Sequence, residues 1–74
     1  MIAELEKVMT LEECRQRVSR IRDYYGVDPE EAHAMEDGLM REALTACLLK
    51  SPDALEMVTL VLELGEEEHR RWYA

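Results

Sequence analysis

The sequence predicts an all-α fold, a compact three-helix domain, on three observations. Its 74 residues suffice for one hydrophobic core and no second one. Good helix formers (Leu, Ala, Met, Glu and Arg) dominate it, with three glycines, two prolines and no phenylalanine. Its apolar residues recur at three- and four-residue steps behind helix-start signals at Thr10, Asp28 and Ser51. With 47% apolar residues the chain is too hydrophobic for a disordered tail, so residues 1–74 read as a single helical domain.

Residues Ile2 to Met9 carry apolar side chains at positions 2, 5, 8 and 9 and read as a short helix or an arm. Thr10-Leu11-Glu12-Glu13 then forms a capping box: the threonine caps a backbone N–H and Glu13 reaches back. Leu11, Cys14, Val18, Ile21 and Tyr25 make one apolar helix face, and Gly26 is the expected C-terminal stop.

Asp28-Pro29-Glu30-Glu31 opens the second helix. Asp28 caps, Pro29 occupies the first helical position where no N–H is needed, and two glutamates face the positive end of the helix dipole. This helix should reach about Lys50, with Gly38 weakening it by about 1 kcal/mol relative to alanine. Ser51-Pro52-Asp53 repeats the start signal, with Ser51 as cap. The third helix should run to Leu64 and stop at Gly65. Leu55, Met57, Val58, Leu60, Val61, Leu62 and Leu64 leave it little polar face, so it should be central or covered by a partner. Residues Glu66 to Ala74 should add a turn or short helix, with Trp72 folding back.

The net charge of −8 disfavours nucleic acid and anionic membrane surfaces, which need a basic stripe, and suits a basic protein partner. No apolar run reaches the ~20 residues of a membrane span. The N-terminus lacks a basic stretch followed by an apolar one, so a signal peptide is not expected and the cytoplasm is the expected compartment. Cys14 and Cys47 lie on apolar helix faces and fit neither a metal motif nor a disulfide framework. So small a core often needs help, which makes a protein partner or a homo-oligomer an expectation.

Four residues stand out as candidate binding positions: His33, Glu36, Asp37 and Trp72. The first three share a helix face at i, i+3 and i+4. An imidazole with two carboxylates can hold a divalent metal or act as an acid–base set. The commoner cause of such clusters is a polar network between helices, here with Arg22 or Arg15 pairing with the acids, and that is the expectation. Glu66-x-x-His69 has the spacing of one half of a helical di-iron site, without a second copy. The Glu66–Glu68 run reads as solvated. No phosphate loop and no nucleophile motif is present. The expectation is therefore no catalytic residue, metal or cofactor.

Ile21-Arg22, the stretch Asp28-Pro29-Glu30-Glu31-Ala32-His33-Ala34-Met35-Glu36-Asp37-Gly38-Leu39 and the closing Arg71-Trp72-Tyr73-Ala74 resemble a family of short acidic proteins of actinobacterial phages and prophages. That family's pattern is Ala-His-x-x-Glu-Asp-x-Leu followed by a terminal Arg-Trp-x-Ala. The resemblance covers about residues 21–74. Ala34 stands where the family often has serine, and Tyr73 where it commonly has cysteine. It implies a phage-borne protein in a bacterial cytoplasm that binds and alters a host protein, and it marks His33, Glu36, Asp37 and Trp72 as the fixed points of the pattern.

Overall fold

A computed structural model describes the backbone of residues 8–73 and the side chains of residues 8–70. Residues 1–7 lie outside it, as does the side chain of Trp72, so the expectations placed on them are not addressed. Three helices make up the described residues: α1 (Leu11–Tyr24), α2 (Pro29–Leu48) and α3 (Ala54–Tyr73). Each packs against the other two, in a body 40 × 20 × 17 Å along its principal axes. Among the described residues no helix is long and apolar enough to cross a membrane.

Local chemistry starts the helices as expected. Glu13 N–H donates to Thr10 Oγ1 at 3.1 Å, and Thr10 N–H donates to Glu13 Oε1 at 2.9 Å, which closes the capping box. The Asp28 carboxylate accepts from Glu31 N–H at 3.2 Å, with Pro29 beside it at the first position. The start of α3 lies two residues later than Pro52. Met57 N–H donates to the Asp53 carbonyl, so Asp53 and not Ser51 holds the cap position.

The stops follow different chemistry. The Gly26 N–H bonds the Asp23 carbonyl, and the glycine has no positive φ. The chain leaves α1 through Tyr25 in right-handed conformation, so a left-handed glycine is not what ends that helix. The left-handed position is Lys50, φ 58°. The Ser51 N–H bonds the Ala46 carbonyl and the Lys50 N–H bonds the Cys47 carbonyl, the two bonds of a Schellman stop.

Gly65 does not stop α3. The helix runs through it to Tyr73, in place of the expected break and short extra turn. The cause is the spacing of the buried positions: Ala54, Met57, Val61, Leu64 and Glu68 recur at three- and four-residue steps across the glycine, and the packing they share outweighs one residue's propensity.

α1 contributes Cys14, Val18 and Ile21 to the core, and Tyr25 follows it; α3 contributes Ala54, Met57, Val61 and Leu64. The buried face of α2 is Ala32, Leu39, Ala43 and Ala46. Three small side chains of four let α2 approach its neighbours closely, while Leu44 and Leu48 remain outside. Both cysteines are free, Cys14 buried and Cys47 half-buried; burial pushes the Cys14 thiol up.

Candidate functional site

The end of α1, the first turns of α2 and the second half of α3 enclose an open cleft of about 620 Å³. Tyr25, His33, Glu36, Gly65, Glu68 and His69 line it. Tyr25 organises one wall. A buried phenol needs a partner for its hydroxyl, and this one donates to Glu36 Oε1 at 2.6 Å, with His33 Nδ1 3.1 Å away. The phenol has one proton, which goes to the carboxylate as a short charge-assisted bond. His33 Nδ1 must then donate to the phenol oxygen, and this leaves Nε2 as the second ring nitrogen. The two rings meet edge to face, centroids 5.3 Å apart and planes at 84°, a favoured aromatic geometry. Burial first, and then the bond to Glu36, push the Tyr25 phenol well above its ordinary value. It therefore stays a neutral donor at physiological pH.

Gly65 makes room for this arrangement. A Cβ added there would stand 2.9 Å from Glu36 Oε2, closer than side chains tolerate. Gly38, by contrast, has open space at its Cβ position. The close approach belongs to Gly65, about one turn before His69.

Of the four sequence-marked residues, two meet here: His33 and Glu36, through Tyr25. Asp37 is exposed and touches the site only through its charge, one of the lesser influences that raise Tyr25. The arginines expected to neutralise this cluster lie elsewhere: Arg22 pairs with Glu67 at 3.0 Å and Arg15 with Glu56 at 3.0 Å. They fasten α1 to α3, while Arg17–Glu42 at 2.8 Å fastens it to α2. The acidic run is also not uniformly solvated. Glu66 is exposed, Glu67 is paired, and Glu68 is 2% exposed because it sits four residues beyond Leu64 on the core seam.

Tyr25, Gly65 and Glu68 were not singled out by motif. Two signals point to them: an aromatic hydroxyl at a core position, which demands a polar partner, and a glutamate in register with Leu64. Among the described residues no group of three or more His, Cys, Asp or Glu side chains is arranged to hold a metal ion. The His33–Glu36–Asp37 triplet thus does not converge, since Glu36 is turned to Tyr25. Comparison with protein-family models, with curated proteins and with solved structures finds no match.

Proposed function

We propose that this chain is a non-enzymatic protein-interaction module which docks a basic segment of a partner protein in the Tyr25–His33–Glu36 cleft. The observation that carries this reading is the Tyr25–Glu36 bond at the wall of an open cleft. It holds a carboxylate in fixed orientation, with lone pairs left for further donors, next to an aromatic ring and Glu68. Such a wall suits a lysine or arginine side chain. The raised phenol favours recognition over proton transfer, because a catalytic acid or base works best with a value near the operating pH. The net charge of −8 steers a basic partner toward the molecule, and the phage-type sequence resemblance supplies a host protein as the expected partner.

The test is capture of partners from an actinobacterial lysate by the tagged protein and by Glu36→Gln. Loss of one charge-assisted contact should weaken capture about tenfold, about 1.4 kcal/mol. Capture should also fall as salt rises. A partner held equally well by Glu36→Gln and at high salt would overturn the reading.

A further inference from the structure

Two hydrogen bonds fix the state of the His33 ring. Tyr25 gives its one proton to Glu36 Oε1 at 2.6 Å, and His33 Nδ1 lies 3.1 Å from the same hydroxyl. With the phenol proton committed to the carboxylate, Nδ1 is the ring nitrogen that carries hydrogen, and Nε2 keeps its lone pair. Nε2 is the nitrogen turned away from Tyr25. His33 itself is exposed and lines the cleft.

A proton taken up by His33 therefore goes to Nε2. Nδ1–H still donates to Tyr25, so neither hydrogen bond breaks and the helices stay where they are. Only the charge changes. A full positive charge then stands two short hydrogen bonds from the Glu36 carboxylate. Imidazole is the side-chain type in this lining that ordinarily titrates between pH 5 and 8; carboxylates ordinarily titrate lower and phenols higher.

We propose that His33 is a pH gate on the cleft, which admits a lysine or arginine side chain while the imidazole is neutral and turns it away once the imidazole is charged. The gate rests on the reading of the cleft as a seat for a basic side chain. The groups around His33 set its sign. On α2, Glu30 and Asp37 flank it at i−3 and i+4, and Glu36 shares the Tyr25 hydroxyl with it. From α3, Glu68 and His69 line the same cleft. Arg22 of α1 and Glu67 of α3 are closed on each other at 3.0 Å. With neutral imidazoles the lining carries the charges of Glu36 and Glu68 and attracts a cation. With charged imidazoles these are balanced. His33 has the larger effect, because its bond to Tyr25 holds it close to Glu36. Two positive charges about 6 Å apart in a half-wet cleft repel enough to lower affinity about tenfold.

The experiment is calorimetric titration of the intact protein with a hexalysine peptide, at about pH 7.5 and about pH 5.5 and one ionic strength. The wild type is compared with His33→Gln, His69→Gln and Glu36→Gln, and helical circular dichroism at both pH values checks folding. The wild type should bind about tenfold more weakly at the lower pH. His33→Gln cannot titrate and should bind within about threefold at the two values, while His69→Gln keeps most of the wild-type loss. Equal wild-type binding at both values, with Glu36→Gln weaker at both, removes the gate and leaves the basic-segment site standing. A loss that persists in His33→Gln belongs to another group, such as buried Glu68, and overturns the proposal. A helix signal lost at the lower pH assigns the effect to unfolding and overturns it too. No binding at the higher pH, or Glu36→Gln binding as well as the wild type, removes the site and the gate together.

Discussion

Substituting Gly65 by alanine measures how closely α2 and α3 approach at the cleft. Two effects oppose each other. Alanine in a helix interior is favoured over glycine by about 1 kcal/mol, and α3 is helical on both sides of residue 65. The new methyl, however, would lie 2.9 Å from Glu36 Oε2, and the other oxygen of that carboxylate is held at 2.6 Å by Tyr25. The carboxylate must move and stretch a bond worth about 1.5–3 kcal/mol to a charged group when fully buried. Glu36 is half-buried, so about 1–2 kcal/mol is at stake. Gly65→Ala in the wild type is therefore expected to be neutral or to destabilise by up to about 1 kcal/mol.

In a Glu36→Ala background the obstacle is gone, and the same substitution should stabilise by about 1 kcal/mol. The coupling of about 1–2 kcal/mol is read from a double-mutant cycle by urea unfolding. All four proteins are compared at one concentration, so that any self-association would add equally to apparent stability. Stabilisation by about 1 kcal/mol in both backgrounds would refute the close approach. Destabilisation in both would refute the continuous helix and restore Gly65 as a helix stop.

The remaining predictions concern the two ends of helices. Lys50 sits at φ 58°, a conformation that costs a side-chain-bearing residue roughly 1–2 kcal/mol. Lys50→Gly should stabilise the fold by about 0.5–1 kcal/mol after the greater freedom of glycine in the unfolded chain is deducted; thermal unfolding measures it, and a loss of stability would contradict the Schellman stop. Glu13 accepts from the backbone and hydroxyl of Thr10, which pulls its carboxyl below the usual 4.5. A depressed folded value means stability that is present above pH 4.5 and lost as pH falls through the depressed value. Glu13→Gln should therefore flatten the acid side of the stability profile, and an unchanged slope below pH 4.5 would contradict the capping box.

The class of fold was legible in the sequence because helix starts are decided locally. The Thr10–Glu13 and Asp28–Glu31 hydrogen bonds join residues three apart, so their partners are visible in any four-residue window. The stops were less legible. Gly26 and Gly65 look alike in sequence, yet neither takes the left-handed conformation, and Lys50 does. Where a helix ends depended on packing beyond it: Glu68 in register with Leu64 carried α3 through its glycine. The candidate site was half legible. His33 and Glu36 stood out by spacing, but the group that joins them is Tyr25, eight and eleven residues away on the far side of a turn. The ion pairs could not be read at all, since Arg15, Arg17, Arg20 and Arg22 are equivalent until α1 has a fixed rotation.

By itself, then, the chain determined three helices, two of their caps and an acidic surface, because these follow from hydrogen bonds within one turn and from composition. The tertiary structure decided which apolar face of α2 turned inward, which arginine met which glutamate, and that Glu36 met Tyr25 across Gly65. Those outcomes depend on how each helix is rotated about its own axis. That rotation is set by the area three helices bury together and by how closely small residues let them approach, quantities that no single segment contains.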